Sequence, residues 1–508
     1  MLEADLTTRE QDFAPYWSDC SKEISGGLWL PTRTGLPVSD LTSFNGSSPN
    51  LGLYWKAWSS PTQTQERTWS PTSWRFSQSL QPVTTGKESI VTGRRYRIYP
   101  DSVQKALFRK CFGAHRYFYN RAVAEINRRY KNRKAEFHKM EHCVLCNNDR
   151  LEGSFCCEKH KGTKLPWKLD VTLASLRSAV MVSDKDAKGT TMAWQMEVPY
   201  DTRQLAIKDA IAAYKACTTN LTRGNIDGFQ LNYKRKSSRQ ICWVNDTAIV
   251  RKNGDVKIFQ QRLKQNASLK FKSKDRKKVP KKFDSDAKIL YDRGAYYLVT
   301  TESAKKEEHK NRKPIVALDP GVRTFQTGYS PTGEVFKAGE GRIQRMKLLH
   351  SKIDLLRSVR TRIQKPTTRH RINKRLEKIE RALYGLVDDL HNHTASALVK
   401  SYDTILLPTF GTSEMLVTDD IASGVKRRMA GLSHYRFQQK LKHQCEKHGA
   451  TLYLVGEEYT TQACGCCGRL KKVAGSKIYT CDNCGYTMDR DVHGARNILI
   501  KTCSTFGR

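Results

Sequence analysis

Four cysteines near the C-terminus are spaced as the ligands of a metal ion. Cys464 and Cys467 form one CxxC pair, and Cys481 and Cys484 form a second pair 13 residues further on. A glycine follows the second cysteine of each pair and allows a tight turn there. Two facing turns of this kind present four thiolates in a tetrahedron, which predicts a zinc ribbon. Cys466 lies inside the first pair and is a competing ligand.

A second cysteine group lies in the stretch HCVLCNNDRLEGSFCCEKH. Cys143 and Cys146 form a CxxC pair, and His160 follows with either Cys156 or Cys157 before it. We favour Cys157, which gives a zinc site of three cysteines and one histidine. The alternative is a loop that buries unliganded thiols. An odd total of 15 cysteines and an acidic, polar N-terminus without a secretory signal favour metal binding in a reducing compartment over disulfides.

Carboxylates cluster where predicted elements end or begin. Asp319 ends one apolar strand, Glu457 and Glu458 end another, and Asp489 and Asp491 precede a helical stretch. If they meet at one rim of a sheet, three of them provide hard oxygen ligands that suit Mg²⁺. Two Mg²⁺ ions about 4 Å apart activate water and stabilise the leaving oxygen of a phosphodiester. By spacing alone, an aspartate after a strand is more often a turn former.

The elements that must position these carboxylates are short apolar strands separated by helices. We expect strands over 314–319, 403–408 and 451–458, with a helix around 424–448 between the last two. Such alternation predicts an α/β sheet. A helical arm over 341–391 carries one apolar stripe per half, Arg and Lys on its other faces, and a break at Pro366.

The N-terminal half is basic and mixes helices with strands. A strand is expected over 93–100, and Asp101 with Gln104 forms a capping box that starts a long aromatic helix. From 228 to 303 the sequence turns strand-like and basic. The run KSKDRKKVPKK at 272–282 is a nuclear import signal, a phosphate-binding face or simply a solvated surface.

The net charge is the strongest indication of a partner. Lys and Arg number 89 against 50 Asp and Glu, a formal charge of +39. Residues 1–86 carry six basic and eight acidic residues, so the whole excess lies in 87–508. A surface this basic favours RNA or DNA. No run of 18 apolar residues occurs, so a membrane partner is not expected.

Five segments resemble the Fanzor family, eukaryotic relatives of the transposon-encoded TnpB nucleases. Four of them match its RuvC motifs in order: VALDPGVRTF at 316–325, SHYRFQQKL at 433–441, EEYTTQACGCCG at 457–468 and CDNCGYTMDRDVHGARNI at 481–498. RIYPDSVQKALFRKCFGAHRYFYN at 97–120 resembles the start of the wedge and recognition region. The likeness covers 90–508 and is most specific from 314 onward.

The resemblance implies roles for individual carboxylates. It assigns Asp319 as the first catalytic carboxylate and Asp491 as the last, with Asp489 as a structural neighbour. His493 stands where the family usually has Asn, which is expected to weaken contacts behind the site.

The middle carboxylate is the least regular part of the resemblance. Pro408 occupies the strand end where TnpB proteins commonly have Glu, and a proline cannot bind metal. In the rearranged site of Fanzors a Glu two residues before the Tyr-Thr pair substitutes, which is Glu457 here. Glu458 is the fallback, and Glu414 is a poorer candidate.

The resemblance implies an RNA-guided DNA endonuclease in the nucleus, with two Mg²⁺ ions at the RuvC site, zinc in the ribbon, a guide RNA of the omega type and double-stranded target DNA. The expected fold class is α/β and mixed multidomain, with a RuvC-like (RNase H-like) domain, a wedge β-barrel-like domain and a helical recognition domain. The domains are an extension at 1–86, wedge parts at 87–100 and 226–305, recognition at 101–225, RuvC-like parts at 306–460 and 486–508, and the zinc ribbon at 461–485. The alternative functions are those of a catalytically inactive RNA-guided or DNA-binding protein and of a transposase that acts without RNA.

Overall fold

The chain divides into two compact units. A computed structural model describes residues 81–84, 90–139, 142, 146, 149, 159, 169–226, 228–252, 255–307, 309–409, 421–456, 459–471 and 476–505. Val91–Ala304 form one unit, called here the N-terminal unit, and Lys305–Arg508 with Met1–Ile90 form the other, called here the C-terminal unit. Within these ranges, every helix is too short or too polar to span a membrane.

The N-terminal unit combines a four-stranded sheet with a helical layer. The sheet has the order β1-β6-β5-β2, and β3 and β4 form a separate antiparallel pair. The strands are β1 (Ile90–Ile98), β2 (Gln240–Val244), β3 (Ile249–Lys252), β4 (Asp255–Ile258), β5 (Ala287–Asp292) and β6 (Ala295–Ala304). The helices are α1 (Ser102–Lys139), α2 (Leu173–Val180), α3 (Asp184–Ala187), α4 (Tyr200–Thr222), α5 (Gln260–Leu263) and α6 (Ser273–Arg276). Residues 228–239, expected to be strand-like, form no strand.

The long helix α1 begins at the predicted capping box. Asp101 Oδ1 accepts from the Gln104 N–H at 2.8 Å, and Gln104 Oε1 accepts from the Asp101 N–H at 3.2 Å. The buried Gln104 amide also donates to the carbonyls of Asn266 and Ser268, at 2.6 and 2.8 Å. The start of the helix is therefore fixed both locally and against a segment more than 160 residues away.

The C-terminal unit is built on a mixed five-stranded sheet with the order β11-β10-β7-β8-β9. Strands β7, β8 and β9 are successively antiparallel, whereas β10 runs parallel to both β7 and β11. The bounds are β7 (Lys313–Pro320), β8 (Gln326–Tyr329), β9 (Val335–Ala338), β10 (Tyr402–Pro408) and β11 (Thr451–Val455). The three expected apolar strands therefore form the centre and one edge of this sheet.

Helices pack on both faces of the sheet, and a small β-hairpin precedes the last one. They are α7 (Glu340–Arg362), α8 (Pro366–Ser401), α9 (Ser423–Leu432), α10 (His434–His448) and α11 (Arg490–Thr505), and the hairpin is β12 (Ile478–Thr480) with β13 (Thr487–Asp489). Pro366 starts α8, as predicted. The single helix expected around 424–448 is two helices, because Ser433 between them has a left-handed φ of 51°.

Alternation along β7 separates the two cores of the unit. Ile315 and Ala317 pack in the cluster that contains α11 residues, and Val316 and Leu318 pack with α8 and α10. This follows from the two-residue period of a strand buried on both faces. The odd-numbered side of β7 therefore faces the C-terminal helix.

A short segment from the start of the chain lies against the edge strand of this sheet. The Val83 N–H donates to the Leu452 carbonyl in β11 at 2.9 Å. The stretch TSWRFSQSL at 72–80, expected to pack on the body, lies outside the described residues.

Candidate active site and metal centre

Asp319 lies at the end of β7, on the side of the sheet that faces α11. It continues the alternation of Ile315 and Ala317, and its side chain is half-buried. The backbone of Asp319 pairs with Thr327 of β8 and so belongs to the sheet. Its carboxylate can therefore lie at the rim of the sheet while the backbone keeps its strand pairing.

Gly494 allows α11 to approach this carboxylate. A Cβ on Gly494 would lie 2.8 Å from Asp319 Oδ2 and 3.1 Å from its Cγ, closer than real Cβ contacts allow. Asp491 lies three residues earlier in the first turn of the same helix, and side chains three apart share a helix face. The fold therefore brings the helix that carries Asp491 against Asp319, although 172 residues separate the two in the chain.

Asp489 is used to start α11. Its Oδ1 accepts from the N–H groups of Asp491 and Val492, at 3.0 and 3.3 Å, and its Oδ2 accepts from Lys337 Nζ at 2.8 Å. Burial alone would raise its pKa, but the bond from Lys337 and the two backbone donors lower the pKa below its usual value. Both of its oxygens thus have partners, as expected for a structural neighbour of the candidate ligand Asp491.

The ends of β10 and β11 adjoin the same rim. Leu406, Tyr453 and Val455 belong to the core that contains α11 residues, and Pro408 pairs in register with Val455. Position 408 follows Leu406 by two residues and so falls on the same side, where a proline offers no ligand atom. The candidate middle ligands Glu457, Glu458 and Glu414 lie outside the described residues.

The four cysteines of the predicted ribbon converge. The Sγ atoms of Cys464, Cys467, Cys481 and Cys484 all lie within 4.8 Å of one another, and two of the S–S separations are 3.6 Å. Each CxxC turn closes on a glycine with positive φ, Gly468 at 75° and Gly485 at 69°, whose N–H donates to the carbonyl of the first cysteine at 3.0 Å.

This geometry fits a metal ion. The thiols have pKa shifts in opposite directions: burial and bonds with the other thiols raise the pKa of Cys484, whereas for Cys467 burial is outweighed by bonds from the Arg469 backbone and Asn483, which lower its pKa to about 6. A central cation favours the thiolate at all four positions, because it binds and stabilises thiolates. Cys466 does not belong to the group; its N–H points to Cys464 Sγ at 3.4 Å, so its backbone supports a ligand.

The ribbon is attached directly to α11. His493 Nε2 accepts from the Gly465 N–H at 3.2 Å, and its ring stacks on Tyr479 with centroids 3.9 Å apart. Arg496 donates to the Gly465 carbonyl at 2.8 Å, and Asn497 donates to the carbonyls of Thr460 and Ala463, both at 2.8 Å.

Burial, with a smaller effect from Arg496, lowers the pKa of His493 to about 4, so the ring is neutral and can accept. Its described bonds are made to the ribbon and to Asn497. The departure from Asn at this position is expected to weaken contacts behind the carboxylates, and that expectation stays a prediction. What the structure shows is that His493 holds the ribbon on α11.

The second cysteine group cannot be assembled from the described residues. Cys146 is exposed, whereas Cys143, Cys156, Cys157 and His160 lie outside the described ranges. The site at 143–160 stays a prediction.

Sequence reasoning missed the residues that bring these parts together. Gly494, Arg496 and Asn497 all belong to the stretch HGARN, which the sequence marks only as part of a helix and of the family resemblance. The available signal was the spacing: Gly494 lies three residues after Asp491 on a helix, where a missing side chain suggests a close neighbour.

Fold and site together define a mixed α/β protein with Asp319 at the rim of its sheet and a four-cysteine centre against its last helix.

Two protein-family models match parts of the sequence. The model of the Cas12f1-like TNB domain matches residues 434–498, and a helix-turn-helix domain model matches 91–135. The first range holds α10, β11, the ribbon and the start of α11. The second is β1 and most of the single helix α1 in this structure.

The relatives are mobile-element and nuclease proteins. A protein of Paramecium bursaria Chlorella virus 1 named as a transposase is 26% identical over 423 residues, 82% of this chain and 88% of that protein. A TnpB-like protein of Acanthamoeba polyphaga mimivirus is 29% identical over 299 residues, 58% of this chain and 56% of its own length. The CRISPR-associated endodeoxyribonuclease Cas12f1 of Sulfoacidibacillus thermotolerans is 29% identical over 135 residues, 26% of this chain and 32% of that enzyme. The chain is thus similar to TnpB-like and Cas12f-like proteins.

Substituting Cys481 by Ser is expected to remove one metal ion per chain, because the tetrahedron loses a thiolate. Elemental analysis of purified protein measures this. Cys466→Ser is the matched control and should keep its metal. Unchanged metal content in Cys481→Ser would contradict the four-cysteine centre.

Replacing Gly494 by Ala is expected to force Asp319 and α11 apart and to lower the free energy of unfolding by about 1–3 kcal/mol. Thermal or denaturant unfolding measures the loss. Gly385→Ala in α8 is the control, since a Cβ there meets nothing within 4 Å and alanine favours a helix by roughly 0.5–1 kcal/mol. Equal stability of the two variants would show that the Gly494 contact is not close.

Proposed function

We propose that the protein is an RNA-guided DNA endonuclease of transposon origin and of the Fanzor type, whose RuvC-like domain hydrolyses target DNA with two Mg²⁺ ions. The observation that carries the proposal is the contact between the Asp319 carboxylate and Gly494, one helical turn from Asp491. Asp491 would thereby join Asp319 at one sheet rim, as a two-metal phosphodiesterase requires.

The sheet topology supports the RuvC-like assignment. Three antiparallel strands, β7 to β9, followed by two strands parallel to the first, β10 and β11, fit the RNase H-like fold that the resemblance implies. The match of the Cas12f1-like TNB domain model to 434–498 supports it independently, because that range includes Asp491 and the cysteines.

Asp319, Glu457 and Asp491 are the proposed Mg²⁺ ligands. The choice of Glu457 over Glu458 rests on the resemblance, and the alternation of side chains along β11 agrees with it. Tyr453 and Val455 belong to the core on the α11 side, and Glu457 follows Val455 by two residues in the sequence. Its carboxylate would replace the one that Pro408 cannot provide.

Zinc is the proposed metal of the four-cysteine centre, since four thiolates in a tetrahedron suit Zn²⁺. Its proposed role is structural: it would fix the ribbon and, through Gly465 and His493, the helix that carries Asp491. A second zinc is proposed for Cys143, Cys146, Cys157 and His160.

The nucleic-acid partners are proposed from charge. The net charge of +39 is reflected in exposed cations along α7 and α8, which are Arg345, Lys347, Lys352, Arg357, Arg360, Arg362, Arg369, Arg371, Lys374, Arg375, Lys378 and Lys400. Such a surface holds a guide RNA and its heteroduplex through phosphates, while base pairing selects the sequence and the protein reads only a short flanking motif.

Location in the nucleus is proposed together with the Fanzor type. The lysines of 272–282 are exposed, as an import signal requires.

Pro408 favours one second candidate, an RNA-guided protein that binds DNA without cutting it. Loss of the usual ligand at this strand end would leave two carboxylates at the rim, which is too few for a two-metal site unless Glu457 or Glu458 takes part.

The decisive experiment is to purify the protein expressed from its native locus, with the flanking DNA present. The RNA bound to it is then sequenced, and cleavage of matching DNA is assayed with Mg²⁺. One dominant noncoding RNA with a variable end, together with cleavage, is the expected result. RNA without cleavage would favour the inactive binder. Activity on transposon ends without RNA would favour a transposase.

Asp319→Asn and Asp491→Asn are expected to lower the cleavage rate at least about a hundredfold, because each loses a metal-binding charge worth several kcal/mol in the transition state. RNA content and DNA affinity should change little, and binding assays on the same preparations check this. Full cleavage by either variant would refute the assigned site.

Glu457→Gln and Glu458→Gln form a matched pair for the middle ligand. The first is expected to abolish Mg²⁺-dependent cleavage and the second to retain it, as measured in the same assay. The reverse result would assign the role to Glu458.

A further inference from the structure

A second group of metal-binding side chains lies at the opposite end of the C-terminal sheet from Asp319. Glu307 and His309 precede β7, which starts at Lys313, and His448 ends α10 just before β11. Because β7 and β11 run in the same direction, the residues before them lie at the edge where both strands begin. Asp319, by contrast, lies at the end of β7. The group is therefore separate from the candidate active site and from the ribbon.

The three side chains converge on one point. His309 Nε2 lies 2.8 Å from His448 Nδ1, and Glu307 Oε2 lies 3.5 Å from the same nitrogen. All three ligand atoms lie within 4.8 Å of one another. The two imidazole rings are stacked, with centroids 5.0 Å apart and planes 30° apart.

Backbone bonds hold this arrangement in place. The Glu307 N–H donates to the Lys447 carbonyl at 2.9 Å, and Arg312 donates to the carbonyls of His448 and Val399, at 3.0 and 3.2 Å. Gly449, with φ of 67°, ends α10 directly after His448. The segment before β7 is thus fixed against the last turn of α10 by contacts that do not use the three ligand atoms.

Metal binding needs a lone pair on both facing ring nitrogens, so a proton held between them must move to the far nitrogen of its ring or to solvent. Two imidazolium ions cannot face each other nitrogen to nitrogen at 2.8 Å, since both would be donors, so at least one of the two nitrogens carries a lone pair. Lys447 bonds Oε1 of Glu307 at 2.6 Å, which leaves Oε2 on the side of the histidines. His448 is buried, whereas Glu307 is half-exposed, so an ion could enter from the Glu307 side.

We propose that Glu307, His309 and His448 form a binding site for a divalent transition-metal ion, with Zn²⁺ as the best match and a water as its fourth ligand. Two imidazole nitrogens and one carboxylate oxygen are a donor set that suits Zn²⁺. Zn–N bonds of about 2.0–2.1 Å at a tetrahedral angle need the two nitrogens roughly 3.3 Å apart, so the rings open by about half an ångström on binding.

A bound ion would clamp the segment that enters β7 to the end of α10. Both segments lead into strands that end at the candidate active site, so the clamp would stiffen the sheet from its far edge. The ammonium of Lys447 lies beside the site and weakens cation binding, because like charges repel at short range. This predicts an affinity below that of the four-cysteine centre.

The test measures zinc bound to the full-length protein after dialysis against a series of buffers with fixed free Zn²⁺. The wild type is expected to bind one Zn²⁺ per chain more than His309→Ala and His448→Ala. His370→Ala, which removes an exposed histidine from α8, is the matched control and should bind as the wild type does. Lys447→Gln should bind the extra ion several-fold more tightly, since it removes the neighbouring positive charge.

Two further measurements separate this site from the ribbon and from misfolding. In cobalt-substituted protein, the thiolate-to-metal absorption of the four-cysteine centre should be the same in the wild type and in His309→Ala. If His448→Ala does not fold because its ring is buried, the half-exposed Glu307→Gln replaces it and should also lose the ion. Equal zinc content in the wild type, His309→Ala and Glu307→Gln would overturn the proposal, as would loss of the extra ion in His370→Ala.

Discussion

The close approach of α11 to the end of β7 is the constraint on which the site depends. It is possible only because residue 494 has no side chain, which lets the Asp319 carboxylate lie in van der Waals contact with the helix. The direction of α11 then determines where its other residues lie. Asp491 comes one turn earlier in the helix, and Arg496 and Asn497 bond the ribbon. One contact thus helps to orient a helix that carries Asp491 and also holds the ribbon.

The ribbon is inserted between β11 and α11, and its contacts make it part of the same assembly. Gly465 is bonded from both sides, its N–H to His493 and its carbonyl to Arg496. A buried neutral histidine is well suited to accept the bond from the Gly465 N–H, because a charged imidazole has no lone pair with which to accept it. The four-cysteine group is therefore joined through Gly465 to the helix that carries Asp491.

Charge is distributed in two different ways within the chain. Asp489, at the start of α11, is held by a specific bond from Lys337 in a protein with a net charge of +39. The cations of α7 and α8 are largely exposed on helices whose apolar stripe packs internally, through Ile353, Leu356, Ile372 and Leu376. Some of these cations pair with carboxylates, as Arg357 does with Glu380 at 2.8 Å.

The sequence by itself determined the local features: the strand ending at Asp319, the capping box at Asp101, the break at Pro366 and the two CxxC turns, because each depends on neighbours within a few residues. It also named Asp319, Asp491 and the four cysteines as candidates. The single helix predicted across Ser433 was wrong, because no local pattern indicated the left-handed backbone of that residue. Only the tertiary structure showed that Gly494 meets Asp319, that His493 holds the ribbon, and that Glu307, His309 and His448 converge. These contacts join residues up to 175 positions apart, and their formation depends on strand order and helix packing, which local propensities do not encode.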